Sequence, residues 1–275
     1  MGGISRGWQL TKLSFSVIRK DKELLLFPLI SGIITILLAI SFFLPFILSS
    51  DWSAGASPED SELTLLLLFI PFYIIAYFIA IFFNVAIVAC ATKRLDGGDP
   101  TFSYGIGFAK SRLKYIFQWA IFAAIVGLIL RAIQQRVGAV GKILVALAGL
   151  AWSIATYFVI PVIAFEEMTP LNAIKRSAGI LRKSWGEALI SNLGMGLIFF
   201  VFSLVGFLII ILGFAIGGLM GLAVGAIVAV IYWVFIGVLA TAAQNVLMAA
   251  LYRFATTGKT SMEFPTYVLE NPWTV

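Results

Sequence analysis

The stretch ALISNLGMGLIFFVFSLVGFLIIILGFAIGGLMGLAVGAIVAVIYWVFIGVLATAAQNVLMAAL (Ala188–Leu251) contains no Asp, Glu, Lys or Arg. A bilayer core about 30 Å thick takes roughly 20 helical residues at 1.5 Å rise each. So long an uncharged run therefore reads as two crossings, Ala188–Leu212 and Leu219–Leu251, with GFAIGG (213–218) the only break between them. Working outward, four more uncharged windows of this kind run over Leu24–Leu48, Leu63–Ala91, Tyr115–Leu130 and Ile143–Phe165. The expectation is an all-α, polytopic membrane protein with six transmembrane helices in one integral membrane domain over residues 1–275. Composition agrees: 61% of residues are hydrophobic and 12% charged, against about 45–50% and roughly 25% in ordinary globular domains. A mean hydropathy of +1.05 over the whole length excludes a soluble domain carrying one anchor. The first window is no secretory signal, being too long, without a small-residue cleavage site, and preceded by a polar segment.

The cations sort by side. Sixteen of the 19 Lys and Arg residues fall in the N-terminal segment, the second and fourth connections and the tail. The other side has Arg131, Arg136 and Lys142, while Ser49–Glu62 there carries only acids. The positive-inside rule then puts both termini in the cytoplasm of a cell-membrane protein. The three outward cations read as a plain basic loop or as a loop dipping into the membrane beyond a short third span.

Three segments that precede odd-numbered spans share an amphipathic stretch, a basic pair or triplet and entry into the membrane: GWQLTKLSFSVIRKDKELLLF, TFSYGIGFAKSRLKYIFQW and PLNAIKRSAGILRKSWGEALI. In the third, Leu171, Ile174, Ala178, Leu181 and Trp185 fall on one helical face, with Lys175, Arg176, Arg182 and Lys183 away from it. Thr169 suits the N-cap and Pro170 the first helical position. Such a helix lies in the interface with its cations towards anionic lipid headgroups. The chain thus reads as three hairpins, each preceded by an amphipathic interfacial helix, in degenerate repeats 1–98, 99–168 and 169–275. The alternative is an ordinary six-span protein with basic inner loops.

KDKELLLFPLIS, the LDGG turn after the second span, YFVIPVIAFEEMTPLNAIKRSAGILRKSWGE and LYRFATTG together resemble an uncharacterised prokaryotic family of six-span membrane proteins, known only as a domain of unknown function. A fainter similarity is to the membrane domains of some glycerophosphodiester phosphodiesterases, but the chain has neither room for their soluble catalytic domain nor its histidines. The resemblance implies fold and location, and brings no catalytic or binding residue.

Within the last hairpin, Gly213, Gly217, Gly221, Gly225 and Ala229 recur at every fourth position, the small-xxx-small ridge that lets helices approach closely. It serves either packing within one subunit or a contact between subunits. Asn84, Asn192, Gln244 and Asn245 would line a polar cavity, or else make ordinary interhelical hydrogen bonds. Pro71 and Pro161 are deep enough to kink their spans. No catalytic residue and no metal or cofactor site is expected. Histidine is absent, Cys90 is the single cysteine, and the spans lack the carboxylates or base–nucleophile pairs that chemistry requires. Glu166 and Glu167 read as the solvated start of a loop, pairing with Lys175 or Arg176.

Two functions follow as expectations. One is a non-enzymatic homo-oligomeric channel or passive transporter-like assembly, built on the glycine-rich hairpin and uncoupled from protons. The other is an anionic-lipid-binding or membrane-organising protein. The expected partners are the bilayer, anionic lipids and further copies of the chain, without nucleic acid, because membrane topology accounts for the +6 charge.

Overall fold

The computed structural model describes residues 3–49, 58–261 and 264, with side chains at 8–45, 47–48, 68–182, 194–261 and 264. Among the described residues the chain is helical almost throughout and has no strand. Helix α1 (Gly3–Lys20) leads through a 3-10 turn (Lys22–Leu25) into α2 (Leu26–Ser49). There follow α3 (Pro58–Leu95), α4 (Phe102–Ser111), α5 (Leu113–Arg136), α6 (Ala139–Ala155), α7 (Val159–Phe165) and α8 (Pro170–Thr257). Five helical stretches are long and apolar enough to cross a membrane: Lys22–Pro45, Leu68–Leu95, Leu113–Arg136, Ala139–Phe165 and Gly194–Thr257.

The last of these has 64 residues and reverses within its length. Trp233 Nε1 donates to Ser203 O at 2.9 Å, and Tyr232 Oη to Phe202 O at 2.8 Å. A straight helix would hold residues thirty apart about 45 Å from each other. The reversal sits at Gly217–Gly218, where Gly218 has φ +56°, a left-handed conformation that glycine adopts without steric cost.

Two boundaries differ from the expected windows. Helix α5 runs on to Arg136, so Arg131 and Arg136 lie in its last turns rather than in a loop. The Arg131 guanidinium lies 5.2 Å from the centre of the Phe69 ring, and cations are favourable at a helix C-terminus. Only Val137 and Gly138 separate α5 from α6, and Trp119 stacks on Trp152 across that hairpin at 5.9 Å. The fourth window is split between α6 and α7. Pro161 has no N–H and its ring crowds the carbonyl four residues back, and the ladder breaks there: Tyr157 N turns to Ile154 O and Val159 N to Thr156 O. Pro71 lies in an unbroken α3.

The chain packs as two compact units, Met1–Leu26 with Ile87–Tyr104 and Gly179–Val275, and Phe27–Ala86 with Gly105–Ala178. The first buries Leu10, Val17, Leu24, Ile87, Cys90 and Leu247. The second buries Phe27, Ile116, Phe158 and Ile163, and rings of α2 and α3 meet in it, Phe43 lying edge-on to Phe72 at 5.1 Å. Large apolar residues elsewhere face outward, among them Ile216 (87% exposed) and Leu219 (80%) beside the α8 reversal. Apolar surface on that scale needs a lipid or detergent cover.

Candidate functional site

Two constructions bear on function. The first is a charged junction in the first unit. Helix α3 ends in a Schellman-type turn: Gly97, with φ +86°, donates to Arg94 O, and Gly98 to Lys93 O. The guanidinium of Arg94 then donates to Lys20 O at the end of α1 (2.8 Å), to Gly98 O (3.2 Å) and to Asp99 Oδ1 (2.9 Å). Arg253 makes a matching clasp, pairing with Asp96 at 2.6 Å and donating to Thr260 O. Glu23 accepts from the Phe102 N–H at the start of α4. One arginine thus closes α1 onto α3, and another closes the end of α8 onto the turn after α3.

Asp21 sits inside this junction, 6% exposed, with Oδ2 making no hydrogen bond. Burial raises its carboxyl pKa above the ordinary 3.8, and the Arg94 charge offsets only part of that rise. A carboxyl raised on folding binds its proton more readily folded than unfolded. Its burial cost is absent below 3.8 and grows as pH climbs through the folded value, so stability falls across that window. The melting temperature of the wild type minus that of Asp21→Asn should therefore rise as pH is lowered from neutrality. A difference that shrinks on acidification would sink the account of Asp21 as a buried, desolvated carboxyl.

The second construction is a repeated helical face. Residues 10–20 (LTKLSFSVIRK) and 173–183 (AIKRSAGILRK) align without a gap, with Lys12 on Lys175, Ser14 on Ser177, Arg19 on Arg182 and Lys20 on Lys183. Burial follows the same register: Leu10, Ser14, Val17 and Ile18 are buried in one, Ala173, Ser177, Ile180 and Leu181 in the other. On a helix, Trp8, Lys12, Phe15 and Arg19 share a second face, and so do Leu171, Lys175, Ala178 and Arg182. The cations of both faces are exposed.

This corrects the apolar stripe read from sequence. Leu171 and Ala178 point outward, Ile174 is half-buried, Leu181 is buried and the Trp185 side chain lies outside the described residues, so the protein-facing side is centred on Ala173, Ser177 and Ile180. Ser177 is buried because its Oγ accepts the Phe158 N–H (2.9 Å) at the break near Pro161. Arg176 is engaged elsewhere, its Nε donating to both Glu166 carboxylate oxygens at 2.7 and 3.0 Å. Glu167, at φ +52°, pairs instead with Arg112 at 2.8 Å, and Arg112 Nε also caps Ala164 O at the end of α7. Lys175 and Arg182 remain exposed, while the side chain of Lys183 lies outside the described residues.

The glycine ridge is filled within the chain. A Cβ on Gly213 or Gly221 would run into the backbone of the other, and one on Gly225 would lie 3.0 Å from Ile209 O. Gly217 has open space, and Ala229 is fully buried. Of the polar positions, Asn84 is half-buried in the second unit. In the first unit Gln244 is half-buried, and Asn245 is buried and donates to Thr241 O of its own helix. The Asn192 side chain lies outside the described residues. Among the described residues no group of three His, Cys, Asp or Glu side chains could hold a metal ion.

Sequence reasoning passed over the Arg94 junction, and it named the first amphipathic basic segment without resolving its Trp8–Arg19 face. The signal available for the face was the K-x-S-x4-R-K pattern shared by 12–20 and 175–183.

The fold defines an all-helical protein with several helices long and apolar enough to cross a membrane. Residues 63–262 match DUF6159, a family of unknown function, and the chain belongs to that family. No curated protein and no solved structure matches it.

Proposed function

We propose that this is a non-enzymatic integral membrane protein of the cell membrane that gathers anionic phospholipid at its cytoplasmic face. Six spans form three hairpins, α2 with α3, α5 with α6–α7, and the two arms of α8, with both termini in the cytoplasm. The observation that carries the reading is the face repeated at 8–19 and 171–182, where two exposed cations share a side with exposed Trp8 or with exposed Leu171 and Ala178, Phe15 being half-buried, beside a buried, protein-facing side. A helix so built sits at the headgroup level with its apolar residues in the acyl region and its cations on phosphate. A homo-oligomeric channel is the less supported reading, because the close approaches at Gly213, Gly221 and Gly225 are made inside one hairpin.

Lipid composition around the reconstituted protein tests this. In mixed phosphatidylglycerol and phosphatidylcholine bilayers, energy transfer from the protein to labelled phosphatidylglycerol should exceed transfer to labelled phosphatidylcholine. Each basic side chain near the surface contributes about 1 kcal/mol, so Lys175→Glu with Arg182→Glu should remove most of the excess at that helix. Unchanged enrichment in the double variant would count decisively against the reading.

A further inference from the structure

We propose that the groove between α1 and the α8 hairpin is a binding site for one anionic phospholipid, an acyl chain lying in the groove and the headgroup on Lys12 and Arg19. The inference rests on the lipid reading above and names a site for it. The groove has a volume of about 220 Å³, walled by Trp8 and Phe15 of α1, Phe199 and Phe202 of the first arm of α8, and Ile236 and Leu239 of the second. It continues along α1 into an open cleft of about 480 Å³ bounded by Lys12, Phe15, Ser16 and Arg19. One slot is therefore apolar and aromatic, and the space next to it has a cationic rim.

Depth places this junction at a headgroup. Phe199, Phe202, Ile236 and Leu239 lie 15 to 22 residues from the reversal at Gly217–Gly218, roughly 25–30 Å along each arm. That distance equals the thickness of a bilayer core. With the reversal at one membrane surface, the groove opens at the other. Trp8 is 43% exposed, and the ammonium of Lys12 lies 5.3 Å from the centre of its ring, which suits an aromatic side chain at the headgroup level.

Shape and charge select the occupant. A packed helix is about 10–12 Å across with its side chains, too broad for a slot of this volume, whereas an acyl chain is slender enough. An acyl chain gains nothing hydrophobic in passing from bilayer to groove, both being apolar, so selection falls to the headgroup. Two cations at about 1 kcal/mol each amount to roughly a 30-fold preference for an anionic over a zwitterionic lipid. The corresponding face at 171–182 has Leu171 and Ala178 in place of Trp8 and Phe15. Equal charge without the aromatic wall makes it the built-in comparison.

The test is lipid retention by the purified full-length protein, counted by intact-complex mass spectrometry after titration with phosphatidylglycerol or phosphatidylcholine. The wild type should hold one phosphatidylglycerol, with an affinity at least tenfold above that for phosphatidylcholine. Leu239→Phe fills the slot and leaves every cation in place, and should abolish that retention. Lys12→Gln with Arg19→Gln changes only exposed positions and should cut the preference about 30-fold. Equal retention of the two lipids by the wild type, or wild-type retention in Leu239→Phe, overturns the site. Enrichment of phosphatidylglycerol in bilayers without retention in this assay overturns the site and leaves the broader reading standing.

Discussion

Arg94→Ala should lower stability by about 1.5–3 kcal/mol, the range for losing hydrogen bonds made by a charged group. Arg94 is 20% exposed at its side chain and serves three acceptors as well as the field at Asp21. The Asp99 contact contributes little, because that carboxylate is 89% exposed and surface pairs have a median value near zero. What is lost is the donor to Lys20 O, which ties α1 to α3, and the charge that offsets buried Asp21. Three comparisons in thermal melts of the detergent-solubilised protein separate these parts. Asp99→Ala should stay within about 1 kcal/mol of wild type. Arg94→Lys should fall between, keeping the charge without the planar fork. Asp21→Asn combined with Arg94→Ala should recover much of the loss, since no carboxylate is then left uncompensated. If Asp99→Ala is as damaging as Arg94→Ala, the junction is a surface ion pair and the argument from Asp21 fails.

The long apolar helices were legible because charge is costly inside a membrane, and its exclusion marks residue by residue which stretches are apolar enough to cross one. The same criterion misplaced the end of α5. It stopped at Leu130 before the first arginine, although Arg131 continues the helix by laying its guanidinium over Phe69. Pro161 was legible as a kink and the helix is interrupted just before it, whereas Pro71, read in the same way, lies in an unbroken α3. The orientation of the basic helix was not legible. Its apolar residues can face the rest of the protein or the outside, and hydrophobicity does not tell these apart. Ser177 resolves the choice: its Oγ accepts the Phe158 N–H, a donor that only the folded chain brings near. The Arg94 junction was illegible for a related reason. Its partner Lys20 is 74 residues away, and no spacing rule links the end of one helix to the carbonyl of another. The LDGG turn marked the place where the chain bends but not what the bend delivers.

Gly221→Leu should open the α8 hairpin, and Gly221→Ala should already cost about 1–3 kcal/mol, the range for forcing extra volume into a packed contact. A Cβ at position 221 meets Gly213 backbone, and Gly213 in turn faces Gly225. Backbone cannot rotate aside as a side chain can, so the arms must separate. Separation would also pull Trp233 Nε1 from Ser203 O, so the share of the emission of the seven tryptophans that Trp233→Phe removes should shift, a local readout beside the melting curve. Gly217→Ala is the control at the same spacing. No atom lies within 4 Å of its added Cβ, and alanine is the better helix former by about 1 kcal/mol, so it should be neutral or stabilising. Gly218→Ala should cost roughly 1–2 kcal/mol without any clash, because φ there is +56°. Loss of stability at 221 and 218 but not at 217 identifies the ridge as the seam of one hairpin. Unchanged melting of Gly221→Leu together with loss of self-association would assign the seam to a contact between chains, and with it restore the oligomeric channel as the better reading.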